Sequence, residues 1–463
     1  MEDVPLNRRV LVATVAFLLA ACSAQATAPR PSAAPSASAT ATPRPTNAAN
    51  DVIYLRSVGP AGVANIYAIS ARTGETMRAM PNGPISFDRQ MLYAPELQNG
   101  ATQTLVHVID VSTGRELRAF TIDGAYDPTP GDAGQQGLSR DGRHLALFYP
   151  PGKLDNEWVT RMAVVDTASG TIEAKLELRS QSTFGFAALS PDGRSLYLNQ
   201  YGEGVTKTRI FDVPSSTLLP AAVNAGAGAM QSGFRTPAVL SPDGRWMYSF
   251  DAGNPTTNCT STDGPSCVPN ATPPYLVAVD MLSRRIATVT LPADQSSSDF
   301  EKYLLWSVGA APSGDSVYAI NPALGIVDEI DARQLTLRRT GKINVSRGDD
   351  GALAAFARFL FPVAEAKRYI AGGAVFSPDG SRIYAAASHG VAVIDTATLT
   401  TSASWPENRD FDALALTADG ERLYAVSNAT GVVAIVSTRD GASLGQLKIP
   451  AYGQSIVRID SAR

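Results

Sequence analysis

The sequence predicts an all-β fold, a β-propeller of four-stranded antiparallel blades, and the repeat count favours eight of them. Three observations carry this. A turn phrase, Leu-Ser-Pro-Asp-Gly-Arg, begins at Leu189 and again at Leu240, with close variants at Leu138, Phe376 and Leu416. Behind each copy lies a Val/Ile/Tyr-rich run of alternating polarity and then a second such run, most often ending in Asp, which is the signature of strands and not helices. The unit recurs along most of the chain, and a repeat that cannot bury both faces alone must stack on its copies. Radial stacking leaves only short, protected edges.

Taken in order, the elements begin with a leader. Arg8 and Arg9 precede an apolar run from Val10 to Ala21 that is too short to span a bilayer, so residues 1–21 read as a signal peptide. The phrase Leu19-Ala-Ala-Cys22 resembles the bacterial lipobox, which implies that Cys22 is acylated, with palmitate-type chains, and becomes the mature N-terminus. An ordinary secretory signal with an incidental Cys is the alternative. Two or three acyl chains, at roughly 0.8 kcal/mol per buried methylene, anchor a protein where one does not. From Ser23 to Asn50 the chain is almost wholly Ala, Pro, Ser and Thr with no acidic residue, a composition that cannot bury enough surface to fold. As a tether it reaches between roughly 30 Å as a flexible coil and roughly 85 Å in polyproline form. The propeller then occupies 51–463.

Within the propeller, second strands are read at Val52, Met91, His144, Ser195, Trp246, Ser316, Arg382 and Arg422. Third strands follow in step at Asn65, Val106, Met162, Thr208, Leu276, Ile326, Val391 and Val432. The first unit starts directly at its second strand, and the tail Tyr452-Gly-Gln-Ser-Ile-Val-Arg-Ile459 offers a surplus first strand to close the ring. Inner strands are rich in small residues, as crowding at an axis demands. Unit one lacks the Ser-Pro-Asp-Gly turn, unit two has Ser86-Phe-Asp-Arg and unit six has Pro312-Ser-Gly-Asp. A seven-blade ring with one aberrant unit is therefore the alternative.

The Ser-Pro-Asp-Gly-x-x-Leu-Tyr turn followed by Val-x-Val-Ile-Asp-Thr-x-Thr, clearest between Ala374 and Ser404, resembles the YVTN-type and WD-repeat-like propellers of bacteria. The resemblance covers nearly all of 51–463. It implies the fold and leaves function open, because such propellers host binding scaffolds, lactonases, dehydrogenases and transferases alike.

Composition bounds the address and the partners. Of three cysteines, Cys22 is taken by lipid, and Cys259 and Cys267 are expected to pair as a disulfide in an oxidising compartment. A metal pair is the rival, but no His lies near and the spacing is not that of a zinc site. A formal net charge of -4 with scattered Lys and Arg leaves no basic stripe for nucleic acid.

In a propeller the a–b and c–d turns share one face and the b–c and d–a connections the other. Here the first set is short and repetitive. The long connections, at 124–137, 150–158, 224–237, 252–274, 293–305 and 342–373, all belong to the second set, which marks that variable face as the binding surface. In the longest, Gly351 to Phe361 reads as a short helix stopped by Pro362, either a lid carrying Phe356, Phe359 and Phe361 or a segment packed on neighbouring blades.

Chemistry is thin. His107 aligns with blade-packing positions and His144 follows a short turn, so His389, in a b–c turn on the variable face, is the one histidine to test as a catalytic or ligand-binding residue. The recurrent aspartates read as turn caps. No metal-ligand spacing, phosphate loop or nucleophile elbow is present, and no cofactor is implied. Residues where the inner strands begin, near Gln136, Phe186, Arg235, Trp306, Arg409 and Tyr452, would ring the channel mouth, and Arg235, Arg409, Trp306 and Tyr452 could hold an anionic or planar ligand there. The reading is a lipid-anchored binding or scaffold module that meets a protein, peptide or glycan of the cell envelope. The alternative is a propeller enzyme, lactonase-like or quinoprotein-like, with its site at the channel mouth.

Overall fold

The computed structural model describes residues 50–461 apart from 59–63, 101, 130–136, 203–204, 221–237, 252–272, 293–294, 296–305, 345–372, 388–389, 407–409, 429 and 450–451. All of them fall in one compact unit, Pro43–Arg463, while the other unit, Met1–Thr42, lies outside the described residues.

The sheets form an eight-bladed propeller. Every second and third strand lies where the alternating pattern puts it, from Val52–Val58 and Ala64–Ser70 in blade 1 to Arg422–Ser427 and Val432–Ser437 in blade 8. Seven blades are four-stranded sheets. In blade 2, Met91–Gln98, Gln103–Asp110 and Glu116–Asp123 form a three-stranded sheet, and the inner position is taken by an isolated bridge from Ile85 to Leu92. Eight apolar clusters hold the ring, one in each seam between neighbouring blades. The seven-blade alternative falls on this count.

Ring closure follows the sequence reading. The C-terminal strand Tyr452–Asp460 runs antiparallel to Val52–Val58 and becomes the inner strand of blade 1, so that blade has no covalent a–b turn and its lack of the turn phrase is explained. The seam to blade 8 is apolar over Ile53, Leu55, Tyr424, Val426 and Val433. At its edge sits one buried carboxylate. Asp51 accepts hydrogen bonds from Arg422 Nε at 2.8 Å, Arg422 Nη2 at 3.2 Å and the Tyr424 hydroxyl at 2.7 Å.

The turn phrase is a hydrogen-bonded box. In Ser377-Pro-Asp-Gly, the Ser377 hydroxyl donates to Asp379 at 2.6 Å and accepts from Arg382 N–H, while Asp379 accepts from Ser381 N–H. The same set recurs at Ser139/Asp141, Ser190/Asp192, Ser241/Asp243 and Thr417/Asp419. The glycine that closes each box has φ near +71° to +73°, a left-handed conformation that costs other L-residues about 1–2 kcal/mol. Blade 2 meets that cost with Arg89, at φ 60°, which is why its phrase reads Ser86-Phe-Asp-Arg.

Candidate functional site

The two faces are built differently. On the face of the a–b and c–d turns, polar groups are spent on the fold. Besides the boxes, the aspartates that end third strands cap the next turn: Asp110 takes the Thr113 N–H, Asp166 the Ser169 N–H, Asp331 the Gln334 N–H and Asp395 the Thr398 N–H. These contacts hold the carboxyls low. Ser112 and Thr113 bring Asp110 to about 2. For Asp280, burial pushes upward and is outweighed by Arg245 and the turn amides, which leave it at about 2. Neighbouring blades are latched by arginines of the outer strands, which donate to turn carbonyls of the next blade. Arg78 reaches Val111 and Ser112, Arg118 reaches Thr167, and Arg339 reaches Thr396 and Ala397.

The same face carries a crossing of the axis. Arg140 of the blade 3 turn donates to the Pro242 carbonyl of blade 5 at 3.2 Å, and its guanidinium lies 5.2 Å from the ring centroid of Phe87 in blade 2. A Cβ on Gly244 of blade 5 would lie 3.0 Å from Phe87 Cζ. Blades 2, 3 and 5 are not all neighbours in the ring, so these contacts run through the central hole. Phe87 and Arg140 plug it on the short-turn side.

On the opposite face the connections hang from polar side chains near the strand ends. Thr104 Oγ1 donates to the Gly124 carbonyl at 2.8 Å and accepts from Tyr126 N–H at 2.9 Å. Thr160 donates to Phe184 O, and Asp412 accepts from Asn428 N–H. Between blades 5 and 6 the fully buried Asp328 accepts from Gln295 Nε2 at 3.0 Å and from Thr340 Oγ1 at 2.5 Å. These are pins for a loop layer, since a buried polar group left unpaired costs more than the bond it makes.

One of the long connections is not a loop. Residues 150–158, read from sequence as an insertion, continue the second and third strands of blade 3 as a raised hairpin, His144–Leu154 and Glu157–Asp166. Its turn residues Asp155 and Asn156 both have positive φ, 49° and 68°, the geometry of a two-residue hairpin turn. Lys153 lies over Trp158, 5.1 Å from the ring centroid, and Leu154 is 46% exposed. The hairpin makes blade 3 stand above the variable face.

Two channel-mouth residues are placed elsewhere than the alignment put them. Trp306 is 2% exposed and stacks on Phe250 at 4.2 Å in the seam of blades 5 and 6, and Phe186 is buried in the seam of blades 3 and 4. Inner-strand side chains alternate between the two flanking seams, so a residue where such a strand begins points sideways into packing. Tyr452 begins the inner strand of blade 1. Arg235, Arg409, His389, Gln136, the helix reading of 351–361, and Cys22, Cys259 and Cys267 lie outside the described residues.

The other histidines are engaged. His107 sits at the blade rim, Nδ1 2.6 Å from Glu116 and Nε2 3.0 Å from Glu96, and His144 Nδ1 is 2.6 Å from Glu173. Burial works against the His107 charge, but the two carboxylates outweigh it and hold the imidazole above its ordinary value. Sequence reading missed Asp127, on the innermost strand of blade 3, whose carboxyl is raised by burial. Its one signal was a place inside the 124–137 connection. Among the described residues no three His, Cys, Asp or Glu side chains are grouped to hold a metal ion, and no helix is long and apolar enough to cross a membrane.

No family model and no curated relative matches the chain. Among solved structures, the chain is similar to the dihydro-heme d1 dehydrogenase NirN in complex with DHE, with 11% identity, 92% of this chain and 78% of that one covered, and a TM-score of 0.47. It is similar to AztD of Citrobacter koseri, with 9% identity, coverage of 89% and 98%, and a TM-score of 0.47. The β-propeller domain of Cps50 (Swd1) from Myceliophteria thermophila matches with 11% identity, coverage of 78% and 99%, and a TM-score of 0.41. Identities this low concern the fold and leave activity open.

Proposed function

We propose that the chain is a lipid-anchored extracytoplasmic binding or scaffold module that takes a protein, peptide or glycan of the cell envelope on its variable face. One observation carries the reading: the segregation of the two faces. The short-turn face is closed on itself by boxes, caps, latches and the Phe87/Arg140 plug, whereas the long connections belong by their place in the repeat to the opposite face, where among the described residues Thr104 and Asp328 pin the bases of two of them. A fold that fixes one face and varies the other concentrates recognition on the varied one. Membrane attachment rests on the Leu19-Ala-Ala-Cys22 phrase and the tether behind it.

The test is native mass spectrometry of residues 51–463 exported through the periplasm, against the denatured mass and a metal analysis, followed by binding measurements with envelope proteins, peptides and glycans. A bare chain that binds one of them, and loses it when 345–372 is replaced by a short turn, supports the reading. A retained metal or organic mass overturns it in favour of an enzyme at the channel mouth, and directs substitutions to Arg235, Arg409 and His389. Anchoring is tested separately: Cys22→Ala should release the full-length protein from the membrane fraction.

A further inference from the structure

We propose that the centre of the short-turn face is a second binding site, one that takes a dianionic phosphate group on Arg89 and Arg140. It lies opposite the long connections and stands independently of what they bind.

The site is built where the turn phrases meet at the axis. Its rim is apolar: Pro242 and Pro312 are exposed, and their δ-carbons lie 3.9 Å and 3.6 Å from where a Cβ on Gly314 and Gly380 of the next blade would stand. Its floor is the plug, with the Arg140 guanidinium on the Phe87 ring and Nη1 donating to the Pro242 carbonyl. Two residues on from Phe87 stands Arg89, the wall on the side of blade 1.

Arg89 departs from the rule of the fold. At this corner of the turn the later blades carry glycine, from Gly142 to Gly420, whereas Arg89 holds φ 60° against the preference of an L-residue. Strain kept at one copy of a repeat points to a use for its side chain. Arg89 is exposed, yet burial lowers its guanidinium, and the neighbouring Arg458 charge lowers it further. A side chain that meets solvent while protein surrounds it on most sides lines a concavity.

The charges there are unmatched. Arg143 and Arg245, which follow the corner glycines of blades 3 and 5, pair with Asp166 and Asp280. Arg458 donates Nη1 to the Arg89 carbonyl at 2.6 Å and Nε to Asp460 at 2.5 Å, so its charge is answered. Asp88 and Asp141, the carboxylates of the same two turns as Arg89 and Arg140, accept from Ser86 and Ser139 and from backbone N–H groups inside their own boxes. Among the described residues neither Arg89 nor Arg140 has a carboxylate partner. Guanidinium forks match the oxygens of a phosphate. Charge fixes the class: a phosphate monoester carries about −1.5 to −2 at pH 7 and answers two cations, where a carboxylate answers one. Free phosphate shares that chemistry.

The experiment is isothermal titration calorimetry at pH 7 on the full-length protein in mild detergent, with inorganic phosphate, phenyl phosphate and acetate at matched ionic strength. Inorganic phosphate should bind saturably at one site, and acetate at least about tenfold more weakly. Arg89→Gly and Arg140→Gln should each weaken phosphate at least about tenfold. Arg89→Gly installs the residue of the other boxes, so it should unfold at an equal or higher temperature while losing the anion, a pairing that a purely structural arginine would not give. Tighter binding of phenyl phosphate assigns the site to an ester and equal or weaker binding to free phosphate; either supports it. The site is overturned if inorganic phosphate shows no saturable binding, if acetate binds as tightly, or if both variants keep the affinity of the parent chain.

Discussion

Asp51→Ala tests the closure of the ring most directly. The substitution removes a fully buried carboxylate, takes its acceptor from the fully buried Tyr424 hydroxyl, and leaves Arg422, whose side chain is 12% exposed, only the longer contacts to Asp419 at 3.6 Å and Glu421 at 3.9 Å. Removing one partner of a buried ion pair costs about 3–5 kcal/mol when the other charge is left without compensation, and the remaining contact of Arg422 to Asp419 at 3.6 Å sets the cost at the lower end, about 3 kcal/mol. With an unfolding entropy of about 2.1 cal/mol/K per residue, the about 400 residues of 51–463 lose about 1 °C of Tm for each roughly 0.84 kcal/mol, so Tm should fall by about 4 °C. Asp51→Asn keeps the shape and one acceptor and should cost about half as much. The assay is calorimetry or circular dichroism, together with hydrogen exchange of the closing strand Tyr452–Asp460, which should lose protection before the other inner strands. A cycle with Arg422→Leu should show coupling of at least about 1.5 kcal/mol, the size seen for residues that share one network. A shift below 1 °C with unchanged exchange in 452–460 would refute the reasoning and leave closure to the apolar seam.

Three further outcomes follow from the geometry. Blade 6 has Ala311 and Ser313 where the boxes have Ser and Asp, so Ala311→Ser with Ser313→Asp should complete a seventh Ser/Thr-Asp box, after the five above and Ser86/Asp88 of blade 2, and raise stability by about 0.5–1.5 kcal/mol, read as a higher urea midpoint with unchanged slope. His107 is held above its ordinary value of 6.5 by Glu116 and Glu96, so its contribution is fully present below that pH and is lost as pH rises through the folded-state value; His107→Gln should flatten stability over that window, and NMR titration of the ring should show the raised midpoint. The turn carboxylates, the caps Asp110 and Asp280 and the box residue Asp379, have the opposite sign: each is lowered to about 2 from 3.8, so their stabilisation is present above about pH 4 and falls away as pH drops toward 2, and acid unfolding followed by circular dichroism should begin in that interval.

Much of the fold was legible because its signals are local. A Ser-Pro-Asp-Gly box closes with hydrogen bonds spanning five residues, and the strand behind it alternates with period two, so both can be read without knowing what lies across the seam. The hairpin of blade 3 was hidden by its own sequence. Pro150 and Pro151 cannot donate to a ladder, which reads as a loop, yet the structure passes them with a register shift between Tyr149 and Gly152 and resumes pairing to Leu154. The usable signal was Asp155-Asn156, two residues that tolerate left-handed backbone.

The site was harder to read than the fold for a geometric reason. Period-two alternation says that successive side chains of an inner strand point in opposite directions, but in a propeller both directions lead into seams between blades. Trp306 and Phe186, assigned to the mouth by alignment, accordingly became core residues. What faces the axis is decided instead by which turns reach across the hole, and that is a long-range property. Arg140 meets Pro242, and Phe87 meets Gly244, only because the ring brings together turns far apart in sequence. The residues that close the channel were therefore visible in the sequence only as departures from a phrase: Phe87 and Arg140 stand where four other turns carry Pro191, Pro242, Pro312 and Pro378 and the blade 8 turn carries Ala418. A repeat protein announces its scaffold where the copies agree and its individual features where they do not, so in this chain the aberrant turns Ser86-Phe-Asp-Arg and Ser139-Arg-Asp-Gly, rather than the repeated aspartates, are where the contacts across the axis are written.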